Sequence, residues 1–317
     1  MSVNKEFVKF DKVDKSYDGK VLVVKDLQLN IAEGEFVTML GPSGSGKTTC
    51  LMMLAGFETP TNGEIYLDSK PISRIPPHKR GIGMVFQNYA LFPHLTVYEN
   101  LAFPLKVRKL SKDDIDKKVD KALSMVSLSG FEKRMPNQLS GGQQQRVGIA
   151  RSLAVEPDIW FLDEPFSALD PLIRKEMQDE FLRLQAVLNK TIMFVTHDFD
   201  EALRLADRIA IMKDGIIEQL DTPDNIVLNP ATEYVKKFTE EVPREKVLKI
   251  EDVMEKANNE NLSGLKVSKD EIIENVAEKI LTQEKSVGVT DENNKIIGTV
   301  HPSKIIHTVF GGRKNNS

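Results

Sequence analysis

At 317 residues the chain is long enough for two domains of ordinary size. Its 40% hydrophobic and 28% charged residues exclude the disordered and fibrous classes and read as a soluble globular protein. A net charge of -4 argues against a general nucleic-acid binder, and a single cysteine, Cys50, excludes a disulfide framework within the chain. A reducing compartment is the simplest setting, and Cys50 reads as a small packed residue. No apolar run approaches the roughly 18 residues of a membrane helix. The N-terminal MSVNKEFVKFDKVDKSY lacks the apolar core of a secretion signal. The expectation is a chain that does not span a membrane but can dock on one.

In chain order, VKFDKV and LQLNI read as strands, and EFVTML is an apolar run ending at Gly41. Strand, glycine-rich turn and a helix from Lys47 open an α/β unit. Between Leu95 and Met135 the pattern is helical. Ile115, Val119, Ala122, Leu123 and Val126 share one face, and Ser111 with Asp114 predicts a capping box. Two further runs, IWFL before Asp163 and TIMFV before His197, suit buried strands of a parallel sheet. From Pro171 a helix carries Ile173, Met177, Phe181, Leu184 and Leu188 on one stripe. Around Pro243 the composition shifts to lysine, glutamate and asparagine. The segment SVGVTDENNKIIGTV predicts strand, turn over Asp291–Asn294, and strand. Residues 311–317 read as a disordered tail.

The stretch Gly41, Pro42, Ser43, Gly44, Ser45, Gly46, Lys47, Thr48, Thr49 matches G-x-x-x-x-G-K-[ST] between a strand and a helix. Glycines let the backbone curl round phosphates, Lys47 supplies a point charge and Thr48 a magnesium ligand. Asp163 and Glu164, at a strand end, are two carboxylates with separable tasks: one on the Mg²⁺ shell, one on the attacking water. Taken singly, His197 reads as well as a structural strand-end histidine, and Gln87 as a polar surface residue. A second glycine turn runs straight into a helix at LSGGQ, residues 139–143, and holds no lysine.

The ordered set GPSGSGKTT, Gln87, LSGGQ, LDEP at 162–165, SALD at 167–170 and His197 resembles the ATP-binding subunit of an ABC transporter over about residues 6–240. The resemblance implies an α/β P-loop NTPase fold of the ABC type, with an antiparallel β subdomain and a helical insert at about 95–150. It implies ATP and Mg²⁺ as cofactors. A head-to-tail pair of subunits would hold each ATP between one phosphate loop and the partner's Ser140, Gly141, Gly142 and Gln143. Asp170 would couple the two sites, His197 would sense the γ-phosphate, Gln87 and Asp163 would join Thr48 at the metal, and Tyr17 would stack on adenine. Glu164 would be the catalytic carboxylate.

One ATPase unit without a membrane segment fits an importer, working at the cytoplasmic face of the inner membrane with integral permease subunits. A solute-binding protein would be an indirect partner. The segment PPHKRGIGMVFQNYALFPHLTVYENL is similar to ATPases of iron, sugar and polyamine importers, whose long β-rich tail is lacking here. NPATEYVKKF, IEDVM and the final strand pair instead resemble quaternary-amine osmolyte importers carrying CBS modules. A small α+β CBS-like domain is therefore expected over 244–310, with one unit where two are common. The implied cargo is glycine betaine, proline betaine, choline, carnitine or trimethylamine N-oxide, with polyamine or iron as the alternative. A repair or translation ATPase would show a coiled-coil insert or a second ATPase unit. A dead regulatory subunit would lack Lys47, Glu164 or His197.

Overall fold

A computed structural model describes residues 5–87, 89–240, 242–256 and 262–310. The expected tail at 311–317 lies outside the described residues. The chain divides into two compact units, Met1–Leu220 and Asp221–Ser317. The division falls before the composition change near Pro243, so the helices that follow the last long strand belong to the second unit.

In the first unit, β1 (Glu6–Ser16) and β2 (Leu22–Ala32) alternate buried and exposed residues, the signature of a sheet with one face on a core. β3 (Phe36–Leu40) is buried throughout and leads into α1 (Lys47–Ala55). β4 (Asn62–Leu67) and β5 (Lys70–Pro71) complete a four-stranded antiparallel sheet, ordered β2-β1-β4-β5.

The next strand is β6 (Ile82–Val85), followed by α2 (Val97–Val107), α3 (Lys112–Met125) and α4 (Gly141–Ala154). Then come β7 (Ile159–Asp163), α5 (Pro171–Leu188), β8 (Thr191–Thr196), α6 (Phe199–Leu205), β9 (Arg208–Lys213) and β10 (Ile216–Asp221). These strands form a second sheet ordered β10-β9-β3-β8-β7-β6, parallel from β9 through β6.

Period-2 alternation assigns the two faces of this sheet. Phe36, Trp160, Leu162, Ile192 and Phe194 pack with α2, α3, α4 and α5. Val37, Met39, Phe161, Met193, Val195 and Met212 pack with α1 and the antiparallel sheet. At α3, Ser111 accepts from the Asp114 N–H, but its own hydroxyl donates to the Asp114 carboxylate at 2.6 Å. No reciprocal box forms there, because the Asp114 carboxylate takes the Ser111 hydroxyl rather than the Ser111 N–H; one does form at Thr96 and Glu99.

The second unit holds α7 (Pro223–Leu228), α8 (Glu233–Thr239), α9 (Ile250–Val253), β11 (Glu255–Lys256), β12 (Leu262–Ser268), α10 (Ile273–Leu281), β13 (Ser286–Thr290), β14 (Ile296–Val300) and α11 (Pro302–Phe310). Its sheet runs β11-β14-β13-β12, and Val267, Ile273, Val276, Ile280, Val287, Val289 and Ile305 lie in its core. The turn between β13 and β14 closes where Asp291 Oδ1 accepts from Asn293 and Lys295 N–H groups, both at 2.9 Å.

The C-terminus of α1 is tied down by a buried cation. Arg80, 5% exposed, donates to Met53 O and Leu54 O at 2.8 Å, and to Ile75 O and Ser73 O. A guanidinium on unpaired helix-end carbonyls answers both the hydrogen-bond deficit and the negative end of the dipole. Arg80→Met is expected to lower unfolding free energy by roughly 2–3 kcal/mol in urea denaturation, because several buried carbonyls lose a charged donor.

Candidate active site

The phosphate-loop sequence folds as its residues dictate. Gly46, at φ 102, begins α1, and a Cβ there would lie 2.7 Å from Val23 O. Pro42, Ser43 and Gly44 form an exposed rim while Gly41, Ser45 and Lys47 are buried beneath. Lys47 Nζ donates to Gly41 O at 2.7 Å and Pro42 O at 2.9 Å, which holds the ammonium inside the loop. Burial pushes its pKa down, and the Glu164 and Asp163 carboxylates oppose that.

At the end of β7 the two carboxylates diverge. Glu164 sits at φ 45, uncommon for a residue with a Cβ, and its N–H bonds Val195 O at 2.9 Å. Asp163 stays with the phosphate loop. Burial and Glu164 raise its pKa, while Lys47 and a hydrogen bond from Thr48 lower it. Glu164 has partners of its own: His197 Nδ1 lies 3.2 Å from Oε1, and Gln87 Nε2 3.5 Å from Oε2. Gln87 also donates to Ser167 Oγ at 3.1 Å, and Ser167 donates to Glu164 O at 2.9 Å. A carboxylate flanked by an imidazole and an amide beside a buried ammonium can accept a proton from water and orient it.

Thr48, Asp163 and Gln87 present hydroxyl, carboxylate and amide oxygens, the hard donors that suit Mg²⁺. Among the described residues no group of three or more His, Cys, Asp or Glu could hold a metal alone. A divalent cation here would share its shell with phosphate and water. The donor chemistry fits that arrangement.

Tyr17, 59% exposed, hangs its hydroxyl 3.4 Å from Thr49 Oγ1, with the Lys15 ammonium 4.8 Å from its ring centroid. An aromatic face thus stands beside the first turn of α1. Ser140 caps α4 in a reciprocal box with Gln143, at 3.3 and 3.0 Å. The Gly141 and Gly142 N–H groups have no acceptor among the described residues. A Cβ on Gly142 would lie 3.0 Å from Ile173 of α5. Asp170 caps α5, accepting from Ile173 N–H at 3.1 Å. So Lys47, Thr48, Asp163, Glu164, His197 and Gln87 form one constellation, with Thr49 and Tyr17 adjoining. Among the described residues no hydrogen bond or ion pair joins Ser140–Gln143 or Asp170 to it.

Three supporting side chains have no signature of their own in the sequence. Asn100 is fully buried; it accepts from Phe92 N–H and donates to Phe92 O, Leu95 O and Thr96 O. Arg151 donates to Tyr89 O and Ala90 O, two positive-φ residues just past Gln87. Arg174 reaches Leu169 O at 3.2 Å with one nitrogen and Asp198 Oδ2 at 3.4 Å with another. It therefore bridges the residue before Asp170 to the residue after His197.

The fold and this constellation define an α/β nucleoside-triphosphate hydrolase of the phosphate-loop type. The family described as ABC transporter matches residues 24–167. The "Trimethylamine N-oxide transport system ATP-binding protein TmoW" of Pelagibacter ubique is 65% identical over 303 residues, 94% of this chain and 89% of that protein. Its namesake from Ruegeria pomeroyi is 56% identical over 237 residues, 73% of this chain and 70% of that protein. The "Spermidine/putrescine import ATP-binding protein PotA" of Clostridium novyi is 49% identical over 231 residues, 73% of this chain and 66% of that protein. Among solved structures, cbiO1 of Clostridium perfringens, part of the transporter complex cbiONQ, superposes with TM-score 0.67 at 32% identity, over 76% of this chain and 97% of that one. The dimeric, post-hydrolysis ATP-binding cassette MJ0796 with ADP and Pi gives 0.61 at 38% identity, over 68% and 98%. The chain belongs to the ABC transporter family, as an ATP-binding, ATP-hydrolysing subunit.

If Arg174 positions the His197 segment, Arg174→Met lowers kcat about tenfold with the nucleotide Kd unchanged, and Arg174→Lys recovers part of the loss. Steady-state ATPase rates alongside ATP titration check this.

Proposed function

We propose that this subunit hydrolyses MgATP to power import of a small methylated amine, trimethylamine N-oxide first among them. The carrying observation for the chemistry is Glu164, set between His197 Nδ1 at 3.2 Å and Gln87 Nε2 at 3.5 Å beside the phosphate loop. For the cargo, it is similarity to the Pelagibacter protein over 94% of the chain, against 73% for the polyamine importer subunit. A polyamine importer is the alternative, since the 49% identity to that subunit spans the ATPase core.

In this reading Lys47 and the loop N–H groups hold the β and γ phosphates, and Tyr17 stacks on adenine. Thr48 and Asp163, with the Gln87 amide oxygen, hold Mg²⁺, which supplies charge neutralisation on the phosphate oxygens. Glu164 orients the attacking water and takes its proton; His197 contacts the γ-phosphate and holds Glu164 in place. Phosphoryl transfer to water asks for placement and charge, not covalent chemistry. The Ser140–Gln143 turn and Asp170 act on the ATP of a second, identical subunit. The pair works from the cytoplasmic face of the inner membrane, on permease subunits fed by a solute-binding protein. Among the described residues no helix is long and apolar enough to cross a membrane. The second unit's order β12, α10, β13, β14, α11 fits a single CBS-like module, read as regulatory.

Reconstitution with permease and binding protein tests the cargo. Trimethylamine N-oxide should stimulate the ATPase and spermidine should not. The reverse outcome selects the polyamine reading, and no response to either overturns import of both. Glu164→Gln is expected to bind MgATP, lose about 10²–10⁴ in turnover and accumulate as a dimer on size exclusion. Ser140→Arg should abolish turnover while an ATP titration of the isolated subunit stays unchanged.

A further inference from the structure

A cavity of about 300 Å³ opens in the first unit where α3, the end of α4, the start of β7 and the end of α5 meet. Ala122, Met125, Leu153, Trp160 and Leu188 make its apolar lining. Lys118, Lys121, Lys190 and Glu156 supply its charges. Glu156 takes both Lys118 and Lys121, with Nζ–Oε distances of 2.5 and 3.0 Å, and its carboxyl is held down to about 2 by them. Lys190 has no carboxylate partner among the described residues. Trp160, 1% exposed, is among the lining side chains.

We propose that this cavity is a binding site for a compact amphiphilic anion, an aryl or branched-alkyl carboxylate whose apolar body packs on Trp160 and whose head meets Lys190. The chemistry follows from what the walls offer: a small, mostly apolar volume with few polar groups fixes an apolar body in one orientation. An ammonium without a counter-ion selects the carboxylate. The same elements continue to the reacting groups: β7 ends on Asp163, α4 begins after Ser140, and α5 begins after Asp170. The position is regulatory rather than catalytic.

Trp160 is the chain's single tryptophan and lines the cavity, so its emission reports on what enters there. Phenylbutyrate is expected to change the fluorescence of the full chain saturably. Phenylbutanol, of the same shape without charge, should bind at least about tenfold more weakly, and Lys190→Glu should weaken phenylbutyrate by a similar factor. Ala122→Leu, which narrows the cavity, should abolish the response. Lys190→Glu alters a half-exposed side chain and keeps the test decisive if Ala122→Leu does not fold. No saturable response, or equal binding of the acid and the alcohol, or an unchanged Kd in Lys190→Glu, overturns the proposal.

Discussion

Everything at the active site depends on the parallel ladder that aligns the ends of four strands. Leu40 pairs with Thr196, Asp163 with Val195, and Val85 with Leu162. Within two residues of those pairs come Gly41, His197, Glu164 and Gln87. Groups distant in sequence therefore meet at one edge because the hydrogen-bond register leaves them no other place. Crevices at the carboxyl ends of parallel strands bind ligands for this reason. A slip of one residue would turn Asp163 and Glu164 to opposite faces and swap their tasks.

The ladder gathers charge that the fold holds at a cost. Lys47 is buried and its pKa is lowered, while Asp163 is half-buried and its pKa is raised. Both shifts have desolvation as the leading cause, and each group partly relieves the other through the same Coulomb attraction. A lysine with a lowered folded pKa withdraws stability as pH falls from its unfolded value through the folded one. A carboxyl with a raised one withdraws stability as pH rises from its unfolded value through the folded one. In the proposed function, phosphate and a divalent cation would carry the charges that answer both, so their binding would relieve that cost. The left-handed backbone at Glu164 belongs to the same balance, since it separates the two carboxylates that would otherwise crowd each other.

The chemistry was legible in the sequence because it needs fixed residue types at fixed spacing. Glycines before Lys47, carboxylates after an apolar run and a serine-glycine helix start all announce themselves. The buried strands β3, β7 and β8 were legible as apolar runs of strand length. The supports were not. Arg80 and Arg151 act by side-chain bonds to backbone carbonyls remote in sequence, and Asn100 by bonds to carbonyls of the irregular turn just before it; no motif marks such residues. The only available signal was a charged or amide side chain beside apolar neighbours. Strands β6 and β9 were also unread, since IGMV carries a glycine and RIAIMK is bounded by charges. The boundary at Leu220 follows contacts rather than composition, which is why the change at Pro243 did not reveal it.

The glycine turn without a lysine has a geometric explanation in the two faces of the sheet. α1 packs with the antiparallel layer, and α4 packs on the opposite side with α2, α3 and α5. Helices across a sheet stand on the order of 20 Å apart, two packing distances of about 10 Å. A phosphate held at Lys47 is then beyond the reach of Ser140 and of the Gly141 and Gly142 N–H groups in the same chain. Those donors have no acceptor among the described residues, yet the capping box of Ser140 and Gln143 holds them ready. A helix start prepared for an anion but set away from its own chain's cation favours a triphosphate presented by another copy. Asp170 caps the adjoining helix directly after Leu169, the residue that Arg174 links to the His197 segment. Opening and closing of such a pair would reach His197 through one guanidinium.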